Sequence, residues 1–182
     1  MSHFHIPNLN SKCALFVVDV QPGFINRENH LVLDNIKKLF SNHTYDLYVE
    51  AIFYAPKGSL WEKQTNWTFP LEDTIKEINE LFPTSKTIKT IKLSKSVFKG
   101  DLDVYKILTE NNITEVHIVG FDTNDCVFAT AQESFDLGFF TYVIEECTGS
   151  SNGNKLREAA LLILRELGMT NHSRLIKSKF LI

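Results

Sequence analysis

Residues 14–18 read Ala14-Leu15-Phe16-Val17-Val18, an unbroken apolar run closed by Asp19 and the turn-prone Gln21-Pro22-Gly23. Short runs without polar alternation belong to strands buried on both faces, the mark of a parallel sheet. The pattern recurs over residues 47–53, more weakly over 87–91, and then over 116–119, 141–144 and 175–176. Between these runs, apolar residues fall at helical spacing: Val32, Ile36, Leu39 and Phe40; Leu71, Ile75, Ile78 and Leu81; Leu102, Tyr105, Ile107 and Leu108; then residues 127–135 and 156–167. Gly138 and Gly168 fall where the last two helices should stop. Six strands alternating with helices predict a three-layer α/β/α domain. Its six-stranded parallel sheet is doubly wound, in the order 3-2-1-4-5-6.

The 182 residues suit one domain with one core, and no linker, repeat or low-complexity stretch divides them. Residues 1–182 are therefore read as a single unit, with a flexible N-terminus over residues 1–11. With 43% hydrophobic and 23% charged residues the composition is that of a folded globular protein rather than a disordered one. No stretch approaches the ~18 apolar residues of a membrane helix. Nineteen basic against 22 acidic residues give a net charge of -3, so neither nucleic acid nor a membrane is an expected partner. Cys13, Cys126 and Cys147 are too few and too widely spaced for a disulfide framework or a C-x-x-C metal pair. With no export signal in view, they read as free thiols in a reducing cytoplasm.

In open parallel sheets, ligands gather beyond the carboxyl ends of the strands. Three polar residues stand there. Asp19 follows Val17-Val18 directly, where a carboxylate needs a cation or donors to offset burial. Lys92 ends Thr90-Ile91-Lys92 and offers that cation, while Cys126 lies in the strand-to-helix turn 120–127, in the first helical turn if Thr123 is the N-cap. An ordinary thiol, with a pKa near 8.5, is only about 3% thiolate at pH 7. A helix N-terminus and an ammonium favour the thiolate, whereas Asp19 and Asp125 oppose it, so the arrangement requires Lys92. Each residue alone also has a structural reading: Asp19 as a helix cap, Lys92 as a surface lysine, Cys126 as a small buried hydrophobe. The strand order sets the first and fourth strands side by side and so brings Asp19 to Cys126. Lys92 starts two strands away, roughly 9 to 10 Å, and must reach inward. Residues 54–70 fit no regular element and are long enough to cover a substrate.

Three ordered segments carry a resemblance: Leu15-Phe16-Val17-Val18-Asp19-Val20-Gln21-Pro22-Gly23-Phe24; Lys92-Leu93-Ser94-Lys95-Ser96-Val97-Phe98; and Gly120-Phe121-Asp122-Thr123-Asn124-Asp125-Cys126-Val127 with Thr130-Ala131. Together they resemble the isochorismatase-like cysteine hydrolases over residues 13–176. The resemblance implies the isochorismatase-like (Rossmann-like) fold and a catalytic triad of Asp19, Lys92 and Cys126. Lys95 does not match, because the motif lysine precedes Ser96 by four positions. The resemblance further implies a cis peptide between Phe121 and Asp122, which would aim the backbone N–H groups of Asp122 and Cys126 at one point as an oxyanion hole. By motif neighbourhood, Phe24, Trp61, Phe98 and Phe121 are candidate substrate-binding walls.

Departures from relatives are equally informative. Isochorismatases proper usually lack the cysteine, so Cys126 argues for thiol chemistry. Nicotinamidases carry a metal-holding Asp-x-His after the second strand, where this chain has Phe53-Tyr54-Ala55-Pro56-Lys57, and a histidine common in the last long helix is missing from residues 155–160. The resemblance thus implies a cofactor-free, metal-independent hydrolase of C–N bonds in a small amide, carbamoyl or ureide, acting through a thioester. Its expected partners are the small-molecule substrate and further copies of itself, as a dimer or tetramer. Three alternatives remain at this point: a non-catalytic oligomeric interaction protein on the same fold, a nicotinamidase-type amidase with an atypical site, and a redox sensor pairing Cys126 with Cys147 or Cys13. On the catalytic reading, Cys13 and Cys147 are bystanders.

Overall fold

The computed structural model describes residues 11–173. Five strands, β1 (Cys13–Val18), β2 (Leu47–Phe53), β3 (Thr87–Lys92), β4 (Glu115–Phe121) and β5 (Phe140–Gly149), form one parallel sheet in the order β3-β2-β1-β4-β5. The sixth predicted strand, over residues 175–176, and most of the predicted flexible N-terminus lie outside the described residues. A parallel bridge does form on the outer side of β5. The Val143 N–H donates to the Met169 carbonyl (2.8 Å) and the Asn171 N–H to the Val143 carbonyl (3.1 Å).

The unbroken apolar character of β1 has the expected cause, since each face meets a separate core. Ala14, Phe16 and Val18 pack with α4 (Val104–Glu110), α5 (Phe128–Asp136) and α6 (Asn154–Glu166) on one side. Leu15 and Val17 pack on the other side with Val32, Ile36 and Leu39 of α1 (Leu31–Asn42) and Ile78 of α3 (Lys76–Asn79). This is the predicted three-layer α/β/α arrangement, with Gly138 and Gly168 just beyond α5 and α6 as expected. No helix among the described residues is long and apolar enough to cross a membrane.

Two local expectations fail. The period of Leu71, Ile75, Ile78 and Leu81 predicts one long helix, but only α3 forms. Before it, tertiary partners claim the backbone: the Ile75 N–H donates to the Val20 carbonyl (2.9 Å), and the Gln21 amide donates to the Glu72 carbonyl (3.1 Å). Segment 54–70 is not irregular either. It holds the short helix α2 (Leu60–Thr65), capped by Ser59, and its ends are closed by a two-way backbone bridge between Ala55 and Phe69.

Gly120 of β4 is paired with Val18 at the end of β1. Its φ is +112°, and a Cβ there would lie 2.0 Å from the Val18 carbonyl oxygen, so only glycine lets the two strands approach this closely.

Candidate active site

The ends of β1, β3 and β4 converge on one buried charge cluster. Asp19, one residue past β1, has φ +51°, a conformation costly for a non-glycine residue unless its surroundings hold it. Those surroundings are explicit. The Asp19 N–H donates to the Ala51 carbonyl of β2 (3.0 Å), and the Asp19 carbonyl accepts from the Gln21 N–H (2.8 Å). Gln21 is fully buried and fastens the same corner. Its amide nitrogen donates to the carbonyls of Phe53 and Glu72 (3.1 Å each), and its amide oxygen accepts from the Phe53 N–H (2.8 Å).

Lys92 is the last residue of β3 and is completely buried. Its side chain crosses the face of Phe53, with Nζ 4.9 Å from the ring centre, and so covers the two-strand distance. Nζ donates to Asp19 Oδ2 (2.7 Å), Cys126 Sγ (3.3 Å) and the Ser94 carbonyl (3.2 Å). An ammonium has three protons, and all three are used. Asp19 Oδ1 is buried and makes no hydrogen bond.

Cys126 lies in a π-helical turn, Thr123–Val127, that leads into α5. The turn is closed by the Asp125 and Val127 N–H groups donating to the Asp122 carbonyl (3.0 and 3.1 Å). Thr123 is not the N-cap expected from its position. Its hydroxyl donates to the Gly149 carbonyl (2.9 Å) and so ties the turn to the end of β5. The Phe121–Asp122 peptide is cis. The Asp122 carboxylate accepts from the Ser151 N–H (2.7 Å) and the Ser151 hydroxyl (2.6 Å), which fixes the loop after β5 over the site.

Burial raises the Asp19 carboxyl above its usual range, although the Lys92 ammonium and the neighbouring thiol pull the other way. Burial and then the Asp19 charge push the Cys126 thiol well up, against the pull of Lys92. Lys92 stays charged. Burial acts against its ammonium, but Asp19 and Cys126 outweigh that penalty. The directions thus keep the ammonium of Lys92 and the thiol of Cys126 protonated and make Asp19 a stronger base than an ordinary carboxylate. Moving the thiol proton to Asp19 keeps the sum of charges unchanged, so that step requires no new charge to be desolvated.

Cys126 opens onto a cavity of about 350 Å³. Its apolar wall consists of Phe24, Phe53, Trp61 and Trp67, and its polar rim of Asp122, Asp125, Ser151 and Asn152. The wall is continuous: Phe53 lies 5.2 Å from Trp61, 6.2 Å from Phe24 and 6.3 Å from Trp67, ring centre to ring centre. Segment 54–70 supplies Trp61, Thr65 and Trp67. Lys95 closes part of the rim, with Nζ 2.5 Å from Asp125 Oδ1 and 5.4 Å from the Trp61 ring centre.

A family model described as the isochorismatase domain matches residues 13–172 of this chain. The chain belongs to the isochorismatase family. It is 29% identical over 151 residues to the uncharacterized isochorismatase family protein YrdC of Bacillus subtilis, covering 78% of this chain and 76% of that protein. Among solved structures, the pyrazinamidase/nicotinamidase of Streptococcus mutans has a TM-score of 0.72 at 20% identity, over 87% of this chain and 98% of that one, a likeness of fold alone. The nicotinamidase SaPncA of Staphylococcus aureus has a TM-score of 0.68 at 25% identity, over 88% and 96% of the two chains.

In this isochorismatase-family hydrolase, Asp19, Lys92 and Cys126 are brought together. Two of the four aromatic candidates, Phe24 and Trp61, line the cavity; the other two do not. Phe98 turns into the core against Phe16 (5.5 Å) and Phe139 (6.3 Å), because the short turn Val97–Lys99 directs it at the sheet. Phe121 is wholly buried in the opposite core layer, against Gly149. Phe53, Trp67, Ser151 and Asn152 were not singled out in the sequence. Trp67 lies in the segment expected to cover substrate and Phe53 ends a predicted strand, whereas no local signal marks the last two.

The residues around the cavity do not fit a divalent metal. From the end of β2 onward the chain offers Phe53, Tyr54 and Ala55, and the carboxylates on the rim are committed, Asp122 to Ser151 and Asp125 to Lys95. The redox alternative conflicts with geometry. Cys13 begins β1, roughly 20 Å along the strands from Cys126. Cys147 is buried in the core layer on the other side of the sheet. Neither can meet Cys126 at disulfide distance.

Proposed function

We propose that this hydrolase cleaves the C–N bond of a small planar amide, carbamoyl or ureide through a Cys126 thioester, without a metal. The observation that carries this reading is the buried ammonium of Lys92 shared between Asp19 and Cys126 at the floor of an aromatic cavity. Asp19 takes the proton from Cys126 Sγ, and the thiolate adds to the substrate carbonyl carbon. The backbone N–H groups of Asp122 and Cys126 are assigned to the resulting oxyanion. Collapse of the intermediate breaks the C–N bond, and the proton held by Asp19 leaves with the amine. Asp19 then deprotonates a water molecule that attacks the thioester, releasing the acid and restoring the thiol. Lys92 stays charged throughout and offsets whichever partner carries the negative charge. A cavity of about 350 Å³ walled by Phe24, Phe53, Trp61 and Trp67 suits a flat molecule of about one ring with its amide. The test is ammonia release from a panel of small primary amides and ureides. At least one should be hydrolysed by the native chain and not by Cys126→Ala; undiminished release by that variant overturns the reading.

A further inference from the structure

A second constellation of reactive side chains lies at the opposite end of the strands from the candidate active site. Cys13 and Glu115 begin β1 and β4 and are paired directly across the two strands; His117, two residues on, shares their face. Glu115 and His117 are almost fully buried, at 1% exposure each, which is costly for a carboxylate unless a positive charge or donors meet it. The catalytic reading uses none of the three. Cys13 Sγ, a Glu115 carboxylate oxygen and a His117 ring nitrogen all lie within 4.8 Å of one another.

We propose that Cys13, Glu115 and His117 bind one borderline transition-metal dication such as zinc, with a fourth position left to water. Thiolate, imidazole and carboxylate together are a donor set for such an ion rather than for calcium or magnesium. The supporting contacts are already in place. His117 Nε2 faces Glu115 Oε1 (2.8 Å), while Nδ1 faces the Tyr45 hydroxyl (3.1 Å). With the proton on Nδ1 and donated to Tyr45, Nε2 is free to ligate. Ser11 donates to Glu115 Oε2 (3.0 Å) and leaves Oε1 for the ion. The cation takes the place of the Nε2–Oε1 hydrogen bond, and the thiol proton of Cys13 leaves to solvent. Thiolate and carboxylate then balance the two positive charges. Without the ion, burial and the charges of Glu115 and Asp46 keep that thiol protonated. Cys13 is only partly buried, which provides a way in from solvent. Bound metal would clamp the starts of β1 and β4 together.

Titration of the chelator-treated full chain with cobalt(II) tests this directly. The native protein should bind with a thiolate-to-cobalt charge-transfer band and four-coordinate visible absorption, and zinc should displace the cobalt. Cys13→Ser should abolish the band, and Cys126→Ala should retain it. Tyr45→Phe should weaken cobalt binding about 10- to 100-fold by loosening the imidazole. The thiolate band separates this site from binding at histidines elsewhere. Failure of the native chain to give the band overturns the proposal, as does a band that survives Cys13→Ser or vanishes in Cys126→Ala.

Discussion

Replacing Asp19 by Asn removes one negative charge from the buried cluster and leaves the shape of the side chain nearly unchanged. Lys92 Nζ is 2.7 Å from Asp19 Oδ2 and 3.3 Å from Cys126 Sγ, so oxygen and sulfur are no more than about 6 Å apart. At an effective dielectric constant of about 20, two negative charges at about 6 Å repel by roughly 2.8 kcal/mol. Losing the Asp19 charge should therefore raise the thiolate fraction at a fixed pH by about 100-fold, with Lys92 left as sole counter-ion. The same change removes the base and should cost hydrolysis about 10²- to 10⁴-fold. Both effects can be read in one preparation, from the pH dependence of iodoacetamide alkylation at Cys126 and from the turnover rate, with Cys126→Ala as the alkylation blank. Asp19→Asn should be alkylated about 100-fold faster at pH 7, with a midpoint moved to lower pH, while its hydrolysis collapses. Alkylation that is unchanged or slower would refute the electrostatic coupling of Asp19 to Cys126.

Three further outcomes follow from the same structure. Hydrolysis needs one proton shared by Asp19 and Cys126, so kcat/KM should fall as pH drops through the Asp19 value. Because burial raises that value, the acid limb should lie above the ordinary carboxylate value of about 3.9, and a limb at or below it contradicts the assignment. Gln21→Ala strands the Phe53 N–H and the carbonyls of Phe53 and Glu72, and should cost about 3 kcal/mol, lowering Tm by about 8 °C in a thermal melt. Burial acts against the Glu145 carboxylate, but hydrogen bonds from Arg165 (Nε to Oε1, 2.9 Å) hold it below its ordinary range. Its contribution is thus complete above the unfolded value of about 4.3 and is lost as pH falls through the lower folded value, so denaturant unfolding should show Glu145→Gln destabilised at pH 7 and the gap closing toward pH 3.

The sheet could be read from the chain because each apolar run records a strand's double burial, and the residue ending the run marks the edge where the candidate site lies. Asp19 and Lys92 were legible for that reason, even the reach of Lys92, which strand spacing makes necessary, whereas Cys126 was legible as the thiol in the strand-to-helix turn after β4. Long-range choices were not legible. Nothing near residue 71 reveals that Gln21 and the Val20 carbonyl will hold the segment extended, and nothing near Thr123 reveals the Gly149 carbonyl as its acceptor. Phe98 and Phe121 stand beside motif residues in sequence, yet local backbone direction sends them to opposite core layers. Ser151 and Asn152 reach the rim because distant residues pin their loop, Asp122 through Ser151 and Asn124 through the Ser150 hydroxyl. Cys13 was set aside with Cys147, and only the pairing of β1 with β4 shows it facing Glu115 and His117.

The central claim is a covalent bond between Cys126 and the acyl part of the substrate. The most direct measurement is mass spectrometry of the enzyme quenched in acid during turnover of an amide it hydrolyses, with peptide mapping of the adduct. A mass increase equal to the acyl group, located on Cys126 and sensitive to hydroxylamine, is expected. An enzyme that turns over substrate with no adduct on Cys126, even when deacylation is slowed with a poor substrate, or with the adduct on another residue, would contradict it.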